Sequence, residues 1–443
     1  MPLINRFLVP PPVWPPRRDD ESVGACIEYA ASRDPAGNAV HVVLACVYFA
    51  VAGLSTATES IAFVVLVGYA ALRGPSVWRT WVPLLHVPAV WALIVFCLWA
   101  TISLAWSPDP AAGLDMLKSA RALLLFPALI PIHRHWRLLL ASLLAGLSLQ
   151  AGLQIMQALG LIAPMAKNLI RHAGLYSHPG HLSTYHAAGL LIAVAWLRET
   201  RSAHARMLLV VCMVLMTTGV AIAAGRGAIV ALVVAAPALI ALLWCRFGAP
   251  DTLRVLWSAA IAVLLVGGIV TGFVLMSGSG GLARGATDVQ RVADVGSSIG
   301  SRLVWWRASL DTFSAHPLTG AGVGGTREEL RTNPRIHEAA AARPDLGIEF
   351  FAHEHPHSLF VQTPAELGLV GVALLVIAIV TIARAAWQAT QRQPLLCGVA
   401  AAILMWTIAA NFDSLHAAGR TAVLFAMLLS FVINPPRSPR LTV

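Results

Sequence analysis

The chain has 443 residues, 58% of them hydrophobic and only 12% charged, with a formal charge of +10. A typical soluble domain is about a quarter charged and a disordered chain has low hydrophobicity, so both classes are excluded. What is left is a polytopic membrane protein, in which the +10 is read by side of the membrane and predicts no nucleic-acid partner.

In chain order, residues 1–37 are rich in Pro and charge and read as a flexible cytoplasmic tail, without the parts of a signal peptide. A helix needs about 20 apolar residues to cross a bilayer. That window gives about twelve candidate spans. In 38–276 they lie near 38–57, 60–73, 82–106, 114–132, 138–159, 182–197, 207–225, 228–245 and 255–276. In 366–433 they lie near 366–383, 394–411 and 417–433, and 434–443 is a second tail. Alternate connections carry Arg73 and Arg79, Arg134 and Arg137, Arg198, Arg201 and Arg206, Arg246 and Arg254, Arg384 and Arg392. With twelve spans these share one side with Arg17, Arg18, Arg437 and Arg440, which predicts that both termini are cytoplasmic. The opposite connections are short and poor in cations, except 277–365. That stretch is long and polar and reads as a mostly helical periplasmic loop domain.

The loop opens on a Gly-rich exit, 277–281. Ser301–Phe313 has apolar residues at helical spacing and predicts an amphipathic helix, with Trp305 and Trp306 suited to the membrane interface. His316–Gly324 reads as a turn, and 326–345 as helical. The loop closes on His353-Glu354-His355-Pro356-His357-Ser358. A neutral His takes a proton from a hydroxyl near pH 7; a polar cap and a metal clip are the other readings of this cluster. His178, His181 and His316 each read as structural on their own. None of the six cysteines lies in the loop, and no CxxC or HExxH pattern exists, so no disulfide, dedicated metal site or cofactor is expected.

Outside the loop, the outer half holds Lys118, Arg121, Lys167, Arg171, Arg226 and Arg420. Cations within or beside spans are costly and usually line a cavity. Lys118 and Arg121 are three apart and share a helix face. Arg226 sits between two glycines where one span ends and the next begins. Arg is suited to bidentate phosphate recognition, so the group predicts an anion site at the outer boundary; snorkelling to lipid headgroups is the plain alternative. A lipid-linked pyrophosphate fits that depth. Tyr176 and His181 are placed to complete the pocket. Asp109 and Asp115 are near enough to pair with Lys118 and Arg121, and Glu366, about two turns after His357, reads as a structural partner of an Arg, with orienting His357 as the other reading.

Four blocks resemble the O-antigen ligase/polymerase superfamily, and O-antigen ligases in particular, over roughly residues 85–385. They are Arg171…Gly174, Gly225-Arg226-Gly227, Arg302-x-x-x-Trp306 running into His316-Pro317-Leu318-x-Gly320-x-Gly322, and His357-Ser358-Leu359 with Glu366-x-Gly368-Leu369-x-Gly371. The family's usual Ser-Arg-Gly is Gly-Arg-Gly here, and its His-Asn is His-Ser. The resemblance implies a GT-C-like architecture in the bacterial inner membrane and a metal-independent, inverting glycosyl transfer. The donor would be O-antigen on undecaprenyl diphosphate, and the acceptor a sugar hydroxyl of lipid A–core. His357 would be the base, and Arg226, Arg302 and Arg171 would hold the diphosphate, with Lys118 and Arg121 as further headgroup contacts. The rivals are an O-antigen polymerase, a protein O-oligosaccharyltransferase and, from another class, an anionic-lipid transporter.

Overall fold

The computed structural model describes residues 23–163, 175, 178–248, 294–352, 355–413, 415–417 and 419–433, and no strand occurs among them. Its helices are α1 (Val23–Arg33), α2 (Pro35–Val51), α3 (Thr56–Leu72), α4 (Gly74–Trp81), α5 (Pro88–Ile102), α6 (Pro110–Leu117), α7 (Leu125–Leu129), α8 (Trp136–Ala158), α9 (Pro179–Glu199), α10 (Ala203–Ala223) and α11 (Arg226–Phe247). They continue with α12 (Gly300–Ala315), α13 (Thr326–Thr332), α14 (Pro334–Ala342), α15 (Ile348–Phe351), α16 (Leu359–Thr390), α17 (Pro394–Ala409) and α18 (Gly419–Ile433).

Every segment expected to span falls on helix except 255–276, which lies outside the described residues with 277–281. Among the described residues, five helical stretches are long and apolar enough to cross a membrane. The number rises to seven if each bent pair, α1 with α2 (111°) and α3 with α4 (94°), is one span. Segments 114–132 and 138–159 belong to one 49-residue stretch, Pro110–Ala158. It tightens into 3-10 turns at Lys118–Leu124 and Ile130–His135, which separate α6, α7 and α8. Ile61 and Val64 on α3, Val233 on α11 and Val380 on α16 point outward and are exposed. An apolar outer face suits lipid and not water, so the fold is that of an integral, polytopic membrane protein.

Residues 23–33, read above as tail, form α1 instead. Cys26, Ile27, Ala30 and Ala31 recur at helical spacing and are buried. The helix stops where Pro35 opens α2, whose Gly37 N donates 2.8 Å to the Asp34 side chain. Central α9 is buried on almost every side, which lets it carry polar groups that a lipid-facing helix would exclude. His186 Nε2, for example, lies 2.8 Å from Gln154 Oε1 of α8.

The basic connections meet at one end of the bundle. Arg137 Nη2 donates to Glu199 Oε2 (2.6 Å) and Gln393 Oε1 (3.1 Å), and Arg198 Nη2 donates to the Phe247 carbonyl (3.0 Å). The starts of α9, α11, α16 and α18 gather at the other end. There the loop builds its own small core from Trp305, Ala308, Leu330, Ile336, Ala339 and Phe351. Trp305 is therefore a core residue of the loop rather than an interface anchor, because its face of α12 turns onto α13, α14 and α15.

Candidate active site

The site is assembled by backbone contacts between α16 and the turn after α17. A helix start leaves amide donors without intrahelical partners. At the start of α16, Leu359 N donates to the Ala410 carbonyl (2.9 Å) and Phe360 N to Asn411 Oδ1 (3.3 Å). This lashing brings His357, two residues before Leu359, beside Asp413, two residues after Asn411. His357 Nδ1 lies 3.4 Å from Asp413 Oδ1, with both side chains about one-fifth exposed. His357 adopts a left-handed backbone conformation, φ 54°, which is uncommon for a residue with a side chain. The surroundings hold it there. The Trp305 ring centroid is 5.4 Å from the imidazole, and Trp306 Nε1 donates 2.8 Å to the Pro356 carbonyl.

Asp413 faces more than one histidine. His181 Nε2 is 3.9 Å from Asp413 Oδ2, and His178 stacks on His181 with centroids 4.0 Å apart. Burial pushes the Asp413 carboxyl up. The hydrogen bond from His357 and the charges of His181 and His178 outweigh it and hold the group well below the usual carboxylate range. His416, in the same turn, is pushed down to about 3 by burial and by His355. It keeps 2.9 Å to Gln362 Oε1.

The arginines come from separate elements. Ala224 ends α10 in the left-handed region (φ 48°), and Gly225 precedes Arg226, the first residue of α11. Gly225 N donates 3.0 Å to Ser183 Oγ, and a Cβ at 225 would stand 2.5 Å from Ser183 Cβ. Ser183 fills the space that a side chain at 225 would need. A Cβ at Gly227 would come 2.8 Å from Phe412 Cβ, so the Arg226 corner packs on the residue next to Asp413. Arg121 lies beside the start of α18. Its Nη2 is 3.7 Å from Glu59 Oε2, and its guanidinium lies over Phe63. Tyr185 Oη donates 2.6 Å to the carbonyl of Arg420.

Other expected residues are placed differently. Lys118 is exposed and pairs with Asp115, one of the two acids its spacing offered. Asp109 instead caps α6, accepting 3.0 Å from Ala112 N. Arg302 Nη1 donates to the carbonyl and hydroxyl of Ser298, both at 2.9 Å. Glu366 is buried and accepts from Thr326 Oγ1 (2.7 Å) and Gln362 Nε2 (3.1 Å). The arginine partner expected for it is replaced by a hydroxyl and an amide. Arg171, Tyr176, Lys167, His353 and Glu354 lie outside the described residues.

Behind Gln362, Glu366 and His416 opens an apolar cavity of about 320 Å³ between α5, the 118–124 turn, α16, α17 and α18. Phe96, Phe126, Ala378 and Phe425 are among its walls.

A family model described as O-antigen ligase matches residues 211–376. The match supports membership of the O-antigen ligase superfamily. It takes in the Arg226 corner, Arg302, His357 and Glu366 and stops before Asp413. No curated protein matches the chain. Members of the O-antigen ligase family are glycosyltransferase-like enzymes of O-antigen processing, with lipid-linked polysaccharide and lipid A–core as their general substrates. Sequence reasoning missed two acids here, Asp413 and Glu59. Asp413 is the only acid after Glu366, and Glu59 the only one between Asp34 and Asp109. A lone carboxylate in a long apolar region is the signal that would have found both.

Proposed function

We propose that the protein is an O-antigen ligase of the bacterial inner membrane, moving O-antigen from undecaprenyl diphosphate to a sugar hydroxyl of lipid A–core. The single observation that carries the reading is the His357–Asp413 contact, set among histidines and next to the arginine corner. Asp413 orients Nδ1–H of His357, leaving Nε2 to take the proton from the acceptor hydroxyl. The acceptor oxygen bonds to the anomeric carbon from the face opposite the diphosphate. The anomeric carbon–oxygen bond breaks, and its electron pair leaves with undecaprenyl diphosphate. The charge growing on that group is met by Arg226, Arg121 and Arg420, with Arg171, Arg302 and Lys118 as further contacts and Tyr176 and His181 bonding the sugar–phosphate region. No metal or cofactor is required, since a diphosphate is a good leaving group. The apolar cavity seats part of the polyprenyl chain. Twelve spans in a GT-C-like arrangement, with both termini cytoplasmic and the site in the periplasm, complete the reading.

The test is transfer by the purified protein in lipid nanodiscs, without added nucleotide or metal. It should join the two lipid substrates, lipid A–core serving as acceptor and a second lipid-linked glycan not serving. His357→Ala and Asp413→Asn should lose about 10²–10⁴-fold of the rate, and Arg226→Ala about 10²–10³-fold, with normal membrane insertion. Undiminished ligation by His357→Ala would remove the base. Elongation of a second lipid-linked glycan would make the protein a polymerase.

A further inference from the structure

Asp413 has two carboxylate oxygens, and they serve different neighbours. Oδ1 faces His357, whereas Oδ2 faces His181 and the stacked His178. His178, His181 and Asp413 each offer one ligand atom, and the three atoms lie within 4.8 Å of one another. Zinc binds imidazole nitrogen and carboxylate oxygen at about 2.0–2.2 Å, so ligand atoms around one ion stand roughly 3.4 Å apart. One of these pairs, His181 Nε2 and Asp413 Oδ2, stands 3.9 Å apart. A side-chain adjustment of under about 1.5 Å brings all three into range. The space between them is kept by Gly180, where a methyl group would stand 3.1 Å from both Asp413 Oδ2 and His178 Cε1. His178 is exposed, which gives an ion a way in. Two imidazoles and one carboxylate are a donor set for a borderline-soft divalent ion, with positions left for water.

We propose that His178, His181 and Asp413 form an inhibitory site for a divalent metal of the zinc class, which disables the enzyme by taking Asp413 away from His357. The metal has no part in the transfer. Its positive charge competes for the carboxylate that orients the base and leaves His357 without its partner. The inhibitory half of the proposal rests on the glycosyl-transfer reading above; the binding half does not.

The experiment uses the full chain in nanodiscs, with Co²⁺ as a spectroscopic probe and Zn²⁺ as a competitor. Co²⁺ should give a visible ligand-field band that saturates at one ion per chain and is displaced by Zn²⁺. His178→Asn keeps an acceptor at the start of α9 while removing one ligand. It should weaken the band's Co²⁺ affinity at least tenfold and raise by the same factor the Zn²⁺ concentration that halves the variant's own metal-free rate. A band unchanged in His178→Asn overturns the site. A normal band with transfer indifferent to Zn²⁺ overturns the inhibition. Failure of the metal-free protein to transfer anything refutes the ligase reading, while the cobalt band still decides the metal site.

Discussion

At the scale of single residues, the Arg226 corner is held by an exchange of volume. Gly225→Ser would set its Cβ 2.5 Å from that of Ser183. Overpacking of this kind costs about 1–3 kcal/mol. The variant should melt lower and transfer less, and Ser183→Gly in the same chain should recover much of both. The acid turn makes a second prediction. A carboxylate whose folded pKa is depressed stabilises the fold above its ordinary value of 3.8, and that contribution is lost as pH falls below it. His416, held neutral down to about 3, acts earlier. Below the ordinary 6.5 the unfolded chain takes up a proton that the folded turn refuses, so stability falls as pH drops from about 6.5 towards 3. The melting temperature should therefore decline through that window, and His416→Gln should flatten its upper part. A flat profile in the parent protein would contradict both assignments. His357 and Arg226 were legible because a loop-end histidine and a glycine-flanked arginine are conspicuous in apolar sequence. Asp413 was not, because its meaning comes from a neighbour 56 positions away that only the Leu359–Ala410 bond brings near.

At the scale of elements, α16 is two helices joined at Gly368, whose φ is 64° and ψ −164°. The turn from His316 to Gly324 lies along this break. Ala321 N and Gly322 N donate to the carbonyls of Ala365 and Glu366, and Leu369 N donates to that of Pro317, each at 2.9 Å. The broken helix thus recovers partners for its backbone from the loop, and buried Glu366 reaches across to Thr326 of α13. Gly368→Ala should be severe. The conformation alone costs about 1–3 kcal/mol, and the new Cβ would stand 2.3 Å from the Leu318 carbonyl oxygen. Wild-type thermal stability and transfer in that variant would show that the break can relax. The glycine spacing was visible in sequence as a motif, but the helix before Gly368 was read as the end of the loop, with the span starting near 366. That two motifs separated by a whole subdomain form one joint was not visible, since periodicity describes an element and not its partner.

At the scale of the molecule, the alternation of basic connections was the most legible feature. Arg137, Arg198 and their partners do meet at one end, opposite His357 and Asp413. Hydropathy found the apolar segments but not how they bend, because a window of about 20 residues does not register a 3-10 turn or a helix lying across its neighbours. It had no access to the cavity behind Gln362 either, which five separated segments enclose. Ala378 is a buried wall of that cavity. If the cavity seats the polyprenyl chain, Ala378→Phe should raise KM for the lipid-linked donor about tenfold or more, leaving KM for lipid A–core nearly unchanged. Equal effects on both substrates would place the chain elsewhere.

The lashing of α16 to the turn after α17 also has a consequence for biosynthesis. His357 leaves the ribosome well before Asp413, and the two meet only once α17 and the turn after it have reached the start of α16. Until then His357 has no Asp413 beside it, and the Arg226 corner has no Phe412 to pack on. Completion of the His357–Asp413 contact therefore waits on the last helix pair. A chain stalled or clipped after α16 would hold every residue that the family model matches and, under the proposed function, would transfer nothing.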